Sequence, residues 1–342
     1  WAAARLGGAA LDVEDFGPII AIPTQPYGDY GSFMFASYVK WLEAHGARVV
    51  PLFYDAPRDE VAWLLARVNG VLLPGGPNEI MYDDAPYAIM VKFVWEIALE
   101  TRLPLWGTCL GFEQMMLLSA GEGFPGPLTG GWNASGYFVP LELTQPLPAD
   151  SMFADWPEEV RVTAASNPWT WHMHDWGVSP ENFEARPALR DFWHVLATNV
   201  NRSGDEFISV VQARNGLPFF GVQFHPEKAA HEVGLLADHE FFFGGTLPAT
   251  SAWAVDAMNR LARFFVERAR AFRGFAFTAE EFWEVTIMNW SPMFPRGLPP
   301  IKSLSHRSQF YFFSRWSAGG PAGRPRPPPV EPPFAGAATS FV

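Results

Sequence analysis

The chain has little cysteine, few positive charges and no long apolar run, and each scarcity excludes a class of protein. The single cysteine among 342 residues rules out an intramolecular disulfide, so this thiol is either buried or functional. Lysine and arginine number 24 against 36 aspartate and glutamate, and the net charge of −12 opposes binding to nucleic-acid phosphates. We therefore expect a small-molecule partner and no nucleic acid. We also expect no membrane span, because no apolar run approaches the roughly 20 residues that cross a bilayer.

Apolar runs alternate with helical patterns over the first hundred residues, which is typical of βαβ units in a covered parallel sheet. Predicted strands lie at 18–22, 47–52, 70–73 and 103–106, and predicted helices at 32–45, 59–68 and 87–100. Later predicted strands lie at 137–141, 160–162, 193–200, 207–213 and 218–224, before an amphipathic helix at 251–270. We therefore expect an α/β three-layer sandwich, in which a mostly parallel central sheet carries helices on both faces and has a mixed or antiparallel extension.

We expect one main domain with extensions at both ends. Residues 17–292 form the domain, residues 1–16 an N-terminal extension, and residues 293–316 a C-terminal segment packed on the domain. Residues 317–342 are rich in proline, glycine and alanine, which predicts a disordered tail. The chain opens on Trp1 without a basic and apolar leader, so a secretion signal that has been removed stays an open alternative.

Cys109 lies in Gly107-Thr-Cys-Leu-Gly111, between a predicted strand and a helical run at 114–119. Two flanking glycines permit the strained strand-to-helix turn called a nucleophile elbow, which exposes the side chain at the end of the sheet. The helix N-terminus favours the thiolate, so we expect a lowered pKa for the Cys109 thiol. The amide of Leu110 can then donate to an oxyanion. An inert buried cysteine is the alternative, and the glycines argue against it.

His225 is the predicted general base. A thiolate nucleophile needs a base that is distant in sequence, adjacent in space and oriented by a third group. His225 follows an apolar strand in Gly221-Val-Gln-Phe-His225-Pro-Glu227-Lys228. Because Pro226 fixes one torsion between them, the carboxylate of Glu227 can turn back to the imidazole.

A second glycine motif, Pro74-Gly75-Gly76-Pro77, ends the third predicted strand. Its glycines allow a ligand to approach the backbone, and their N–H groups can supply the other half of an oxyanion hole. Ligands of open α/β sheets bind beyond the carboxyl ends of the strands, where Cys109 is also expected.

These motifs, together with Ala36-Ser-Tyr-Val-Lys40 and Gly46-Ala-Arg-Val-Val-Pro51, resemble the γ-glutamyl hydrolases, the folate polyglutamate hydrolases of the class I glutamine-amidotransferase-like superfamily. The resemblance runs from about residue 18 to about residue 292. It implies a flavodoxin-like fold and a cofactor-free cysteine hydrolase that cleaves the γ-glutamyl amides of folate poly-γ-glutamates through a thioester.

The resemblance also implies roles for individual residues. The catalytic triad is Cys109, His225 and Glu227, with Leu110 and Gly76 in the oxyanion hole. The expected substrate ligands are Gly75, Glu113 and His174. Lys228 is added because an acidic substrate needs a positive group near the triad, and an exposed solvated lysine is the alternative. His172 is the alternative to His174, two residues away. Related amidotransferases usually carry glutamine at the position of Glu113, so the glutamate favours a hydrolase.

Two other functions stay open. A glutamine amidotransferase would pass ammonia to a synthetase, although no synthetase domain follows here, and a silent relative would bind a γ-glutamyl ligand or a partner protein without turnover. We expect no metal site, because His172, His174 and Asp175 lack a second ligand group at zinc-like spacing. A homodimer is left open. The resemblance suggests a vacuolar, lysosomal or extracellular location, where Asn133 and Asn201, each in an Asn-x-Ser triplet, would be candidate glycosylation sites.

Overall fold

The computed structural model describes residues 10–27, 31–77, 81–232, 251–294 and 308–313. The strands are β1 (Ile19–Pro23), β2 (Gln25–Pro26), β3 (Ser32–Phe35), β4 (Arg48–Leu52), β5 (Gly70–Leu73), β6 (Leu105–Thr108), β7 (Thr129–Val139), β8 (Glu142–Leu143), β9 (Thr170–Gly177), β10 (Trp193–Val200), β11 (Glu206–Ala213), β12 (Phe219–Val222) and β13 (Phe310–Phe313). The helices are α1 (Val13–Phe16), α2 (Ala36–Glu43), α3 (Arg58–Leu65), α4 (Pro86–Thr101), α5 (Leu110–Ala120), α6 (Glu158–Ser166), α7 (Pro180–Glu184), α8 (Pro187–Phe192), α9 (Ala252–Ala271) and α10 (Ala279–Val285).

One sheet of eight strands dominates the part of the chain that the structure describes, in the order β4-β1-β5-β6-β12-β11-β10-β8. Neighbours from β4 to β12 pair in parallel, whereas β12, β11, β10 and β8 pair antiparallel. The central strands β1 and β5 are apolar and buried along their whole length, since helices cover both of their faces. The mostly parallel sheet with an antiparallel extension is therefore confirmed.

Side chains along each central strand alternate between two apolar cores. In β1, Ile20 and Ile22 face a core shared with α2, α6 and α9, whereas Ile19 and Ala21 face a core shared with α3, α4, α5 and α8. This alternation follows from the two-residue repeat of a strand. The three-layer α/β sandwich predicted from the sequence is confirmed.

Two smaller sheets are added at the edges of this framework. Strands β7 and β9 form an antiparallel pair, and β13, β3 and β2 form a three-stranded sheet. In the latter, β13 comes from the C-terminal part of the chain and pairs Phe310 with Phe35 and Phe313 with Ser32. This strand lies within the segment 293–316 that was predicted to pack on the domain, while the tail 317–342 lies outside the described residues.

Two predicted elements are wrong in type or extent. The helix predicted at 32–45 begins only at Ala36, because residues 32–35 form β3, whose backbone pairs with β13. The strand predicted at 160–162 is the middle of α6, which follows Pro157 and carries Glu158 and Glu159 in its first turn. At residues 32–35, long-range strand pairing outweighs the local helical spacing of apolar residues. At residues 160–162, a helix that starts after Pro157 outweighs the strand preference of the β-branched valines. No helix among the described residues is long and apolar enough to cross a membrane.

Candidate active site

The turn that carries Cys109 is strained in the way that a nucleophile elbow requires. Cys109 has φ 50° and ψ −107° between the end of β6 and the start of α5. A positive φ is uncommon for a non-glycine residue and costs about 1–3 kcal/mol. The turn also needs Gly111, because a Cβ there would lie 2.2 Å from the carbonyl oxygen of Leu73.

Three parallel strands bring the predicted site together at their carboxyl ends. β6 lies between β5 and β12, and Val222 at the end of β12 is paired with Thr108. The amide of Cys109 donates to the carbonyl of Val222 at 2.9 Å, which extends the β6–β12 pairing by one residue. The segment after β12 leads to His225, and the segment after β5 leads to Gly75. Three distant stretches of sequence thus meet, as the motifs predicted.

His225 and Glu227 form a buried hydrogen-bonded pair. Nδ1 of His225 lies 2.8 Å from Oε1 of Glu227, and both side chains are more than 90% buried. Burial alone would raise the pKa of the Glu227 carboxyl, but His225 and Lys228 outweigh this effect and leave the pKa lowered. The carboxylate is therefore ionised and accepts a hydrogen bond from the N–H at Nδ1, which leaves Nε2 available as a base.

Gly75 lies where the loop after β5 meets this pair. A Cβ at Gly75 would lie 2.6 Å from Cε1 of His225 and 3.2 Å from Cβ of Cys109. The imidazole and the thiol side chain therefore approach the same backbone position, which only glycine can occupy. Gly76, the predicted oxyanion residue, packs against Gln25, whose side chain also donates to the carbonyl of Gly75 at 2.9 Å.

Tyr38 belongs to the site, although sequence analysis gave it no role. Its fully buried hydroxyl accepts a hydrogen bond from the amide of Gly75 at 2.7 Å and lies 3.5 Å from Nδ1 of His225. Burial and the negative charge of Glu227 raise its pKa, so the phenol stays protonated. The amide of Gly75 is thereby occupied. The only signal in the sequence was the place of Tyr38 in one of the motifs that resemble the family.

The thiol of Cys109 is buried and neutral at rest, which corrects the expected exposure and lowered pKa. The residue is 5% exposed, and its Sγ lies 3.8 Å from the carbonyl oxygen of Met173 in β9. Burial raises the pKa of the thiol, and the negative charge of Glu227 adds to this rise, as does Glu113 once its own carboxyl has ionised. The amide of Leu110 and the ammonium of Lys228 oppose it without reversing it. The helix N-terminus acts as expected, but desolvation is the larger effect.

Glu113 lies one turn into α5 and is 1% exposed. Its Oε1 accepts from Nε2 of Gln223 at 2.9 Å, and Oε2 has no hydrogen-bond partner within the described residues. Burial raises the pKa of this carboxyl to about 8. Glu113 is therefore a neutral acid near pH 7, with one oxygen free for a ligand.

The segment of His172 and His174 is the strand β9, and it crosses the nucleophile. His174 donates from Nδ1 to the carbonyl of Trp176 at 2.7 Å, so its Nε2 accepts from Nδ1 of His172 at 3.1 Å. Burial lowers the pKa of His174 to about 3 and that of His172 well below its usual value. Both rings are therefore neutral. Both nitrogens of His174 bind within the protein, so a substrate must replace one of these bonds to reach it.

The other predicted residues are placed as follows. Lys228 is 5% exposed and lies beside Glu227 rather than on an open cleft. Asn133 is exposed, whereas Asn201 is buried and its side chain binds Asp205 and the amide of Ser203. Within the described ranges, no group of three or more His, Cys, Asp or Glu side chains is arranged to hold a metal ion.

Comparison with known proteins confirms the resemblance found in the sequence. The family described as glutamine amidotransferase class-I matches residues 28–242. "Gamma-glutamyl hydrolase B" of Dictyostelium discoideum is 31% identical over 312 residues, covering 87% of this chain and 83% of that protein. "Gamma-glutamyl hydrolase" of Homo sapiens is 34% identical over 84% of both chains. A crystal structure of a glutamine amidotransferase from Thermotoga maritima aligns with a TM-score of 0.46 and 14% identity over 75% of this chain and 99% of that chain. The chain belongs to the γ-glutamyl hydrolases of the class I glutamine amidotransferase family.

Proposed function

We propose that the protein hydrolyses the γ-glutamyl amide bonds of folate poly-γ-glutamates as a cysteine-type omega peptidase that needs no cofactor. One observation carries the proposal. The only cysteine of the chain occupies a strained turn beside a histidine whose other nitrogen is fixed by an ionised glutamate. The relatives are named gamma-glutamyl hydrolases, which supports the γ-glutamyl amide as the bond that is cleaved.

The chemistry follows from the roles of the side chains. His225 accepts the proton of Cys109 through Nε2, and the resulting thiolate attacks the carbonyl carbon of the γ-glutamyl amide. The amides of Leu110 and Gly76 stabilise the oxyanion. The imidazolium then donates its proton to the leaving amine, and the thioester remains. Water, deprotonated by His225, attacks the thioester to release the γ-carboxylate and restore the thiol.

The neutral thiol at rest fits this sequence of proton transfers. Because burial raises the pKa of Cys109, the sulfur loses its proton only as His225 gains one. Glu227 then faces a positive imidazolium, which it stabilises without itself becoming protonated. Glu113, with a free carboxyl oxygen, and His174 in β9 are proposed to bind the γ-glutamyl unit.

Product analysis tests the proposal. We expect the wild-type protein, incubated with pteroylpentaglutamate and without ATP, to release glutamate or short γ-glutamyl peptides, and the Cys109→Ala variant to release none. Ammonia release from glutamine without cleavage of the folate substrate would instead identify an amidotransferase. Binding of the substrate without any product would identify a silent relative.

We also propose that the protein acts in the vacuole, in the lysosome or outside the cell. The exposed Asn133 in β7 offers an accessible glycosylation site, whereas Asn201 is buried and hydrogen-bonded. Protein made in a eukaryotic secretory host should therefore lose mass on deglycosylation, and Asn133→Gln should remove that change. A homodimer remains a proposal that light scattering can test.

A further inference from the structure

A buried ion pair lies directly behind the His225–Glu227 pair. The side chain of Lys228 is 6% exposed, and its Nζ pairs with Oε1 of Glu232, whose side chain is 8% exposed. The same Nζ lies 3.8 Å from Oε1 of Glu227 and 4.0 Å from the centre of the Phe35 ring. The ammonium is therefore held between two carboxylates, that of Glu227 in the triad and that of Glu232.

Glu232 is itself fixed from two distant parts of the chain. The hydroxyl of Ser37 in α2 donates to its Oε1 at 2.9 Å, and the hydroxyl of Ser308, two residues before β13, donates to its Oε2 at 2.7 Å. Both serines are buried. Burying a charged pair is costly unless such additional hydrogen bonds satisfy it. This pair meets that condition, so the position of the ammonium is well defined.

The ammonium acts on two members of the triad. Lys228 helps to lower the pKa of Glu227, and its positive charge opposes the rise in the pKa of Cys109, to which the negative charge of Glu227 adds. A buried charge acts strongly because little water screens it. A substrate ligand, in contrast, would need an ammonium that is open to the cleft and not already paired.

We propose that Lys228 is a positioning residue of the catalytic triad, held by Glu232, Ser37 and Ser308, and that it does not bind the substrate. Its ammonium keeps Glu227 ionised and oriented towards His225, and its positive charge favours formation of the Cys109 thiolate. The C-terminal segment that contains Ser308 is thereby connected to the active site. The turnover part of this inference rests on the proposed function, whereas the reactivity of the thiol can be measured without any substrate.

The test measures two quantities for Lys228→Met, Lys228→Arg and Glu232→Gln. The first is hydrolysis of pteroylpentaglutamate, and the second is the pH midpoint for alkylation of Cys109 by iodoacetamide. For Lys228→Met we expect kcat to fall about 10- to 100-fold with KM within about threefold, and the alkylation midpoint to rise by about one pH unit. Lys228→Arg should restore most of both quantities. In Glu232→Gln the midpoint should not rise, because the positive charge remains.

Controls separate this role from a loss of structure. Arg260 and Asp256 form an ion pair on the surface of α9 at 2.8 Å and, like Lys228 and Glu232, are four residues apart in the sequence. Arg260→Met removes this pair and should leave both quantities unchanged. If Lys228→Met does not fold, Lys228→Gln, whose amide can still donate to Glu232, replaces it.

An unchanged alkylation midpoint in the uncharged variant, or an equal rise in Glu232→Gln, would overturn the proposal. So would a raised KM at unchanged kcat, which indicates a substrate ligand. Absence of folate hydrolysis by the wild type would refute the proposed function but leave the alkylation test intact.

Discussion

At the scale of single residues, the site is governed by burial. Cys109, His225 and Glu227 are each at most 6% exposed, so every proton that moves among them moves in a medium of low polarity. Burial raises the pKa of the thiol, whereas the histidine and lysine neighbours of Glu227 keep that carboxyl ionised. The structure therefore assigns the negative charge at rest to Glu227 and leaves the thiol neutral.

The first prediction compares how much activity is lost when His225 or Glu227 is replaced. His225→Asn removes the base and should lower kcat/KM about 1,000-fold or more, whereas Glu227→Gln alters only orientation and charge support and should cost about 10- to 100-fold. The measurement is steady-state hydrolysis of pteroylpentaglutamate. His194→Asn, at the start of β10, serves as a control with wild-type kinetics. A larger loss in Glu227→Gln than in His225→Asn would contradict these roles.

The second prediction concerns the pH dependence of stability. Burial raises the pKa of Glu113 to about 8 from 4.5, so between these values the folded protein holds a proton that the unfolded chain has lost. This contribution to stability is complete below about pH 4.5 and is lost as the pH rises through about 8. From pH 6 to pH 9, the melting temperature of the wild type should fall several degrees further than that of Glu113→Gln. Parallel curves for the two proteins would contradict a protonated Glu113.

At the scale of elements, β9 is the strand that closes the site. It pairs with β7 and places the carbonyl of Met173 against the sulfur of Cys109. Its two histidines are joined by a hydrogen bond, and His174 donates in turn to the carbonyl of Trp176. Because these bonds lie within one strand and between neutral rings, a ligand can exchange for one of them without ionising a buried group.

The third prediction tests this strand. His174→Asn should raise KM, lower kcat or do both, while the rate at which iodoacetamide labels Cys109 stays unchanged, because a residue that only binds the substrate does not activate the thiol. His172→Asn, which removes the partner of His174, should produce a smaller effect of the same kind. Wild-type kinetics in His174→Asn would remove this histidine from the substrate site.

The sequence predicted the elements and motifs of the parallel half of the sheet well. β5 was predicted with the observed limits, and the positions of Cys109 and His225 beyond strand ends were predicted because glycines and strand ends leave local signals. Contacts that depend on folding were not predictable. The phenol of Tyr38 reaches Gly75 across 37 positions, and Ser308 reaches Glu232 across 76.

The errors have the same origin. Residues 32–35 have helical spacing, but a strand that follows almost 280 positions later pairs with them. The effect of the helix N-terminus at Cys109 was correctly inferred, yet burial outweighs it, and the burial involves groups distant in sequence, such as the carbonyl of Met173 in β9. Local sequence patterns indicate the secondary structure and charge effects that a segment favours, but contacts with distant parts of the chain decide which structure and which pKa result.

At the scale of the whole molecule, one edge of the sheet collects segments from most of the described chain. Tyr38 follows β3, Gly75 follows β5, Cys109 follows β6 and His225 follows β12, while β9 covers them. A parallel sheet makes this possible because the carboxyl ends of its neighbouring strands lie side by side. The C-terminal strand β13 pairs with β3, which leads directly into the helix that carries Tyr38.

The account centres on a thioester at Cys109, and trapping that thioester tests it most directly. Protein mixed with pteroylpentaglutamate should be quenched in acid within the first turnover, digested and analysed by mass spectrometry. We expect an acyl adduct on the peptide that contains Cys109 in the wild type and, in larger amount, in a variant whose thioester hydrolysis is slowed. The adduct should be absent from Cys109→Ala, which should also lack turnover. Hydrolysis by Cys109→Ala within tenfold of the wild-type rate, with no adduct in either protein, would contradict the account.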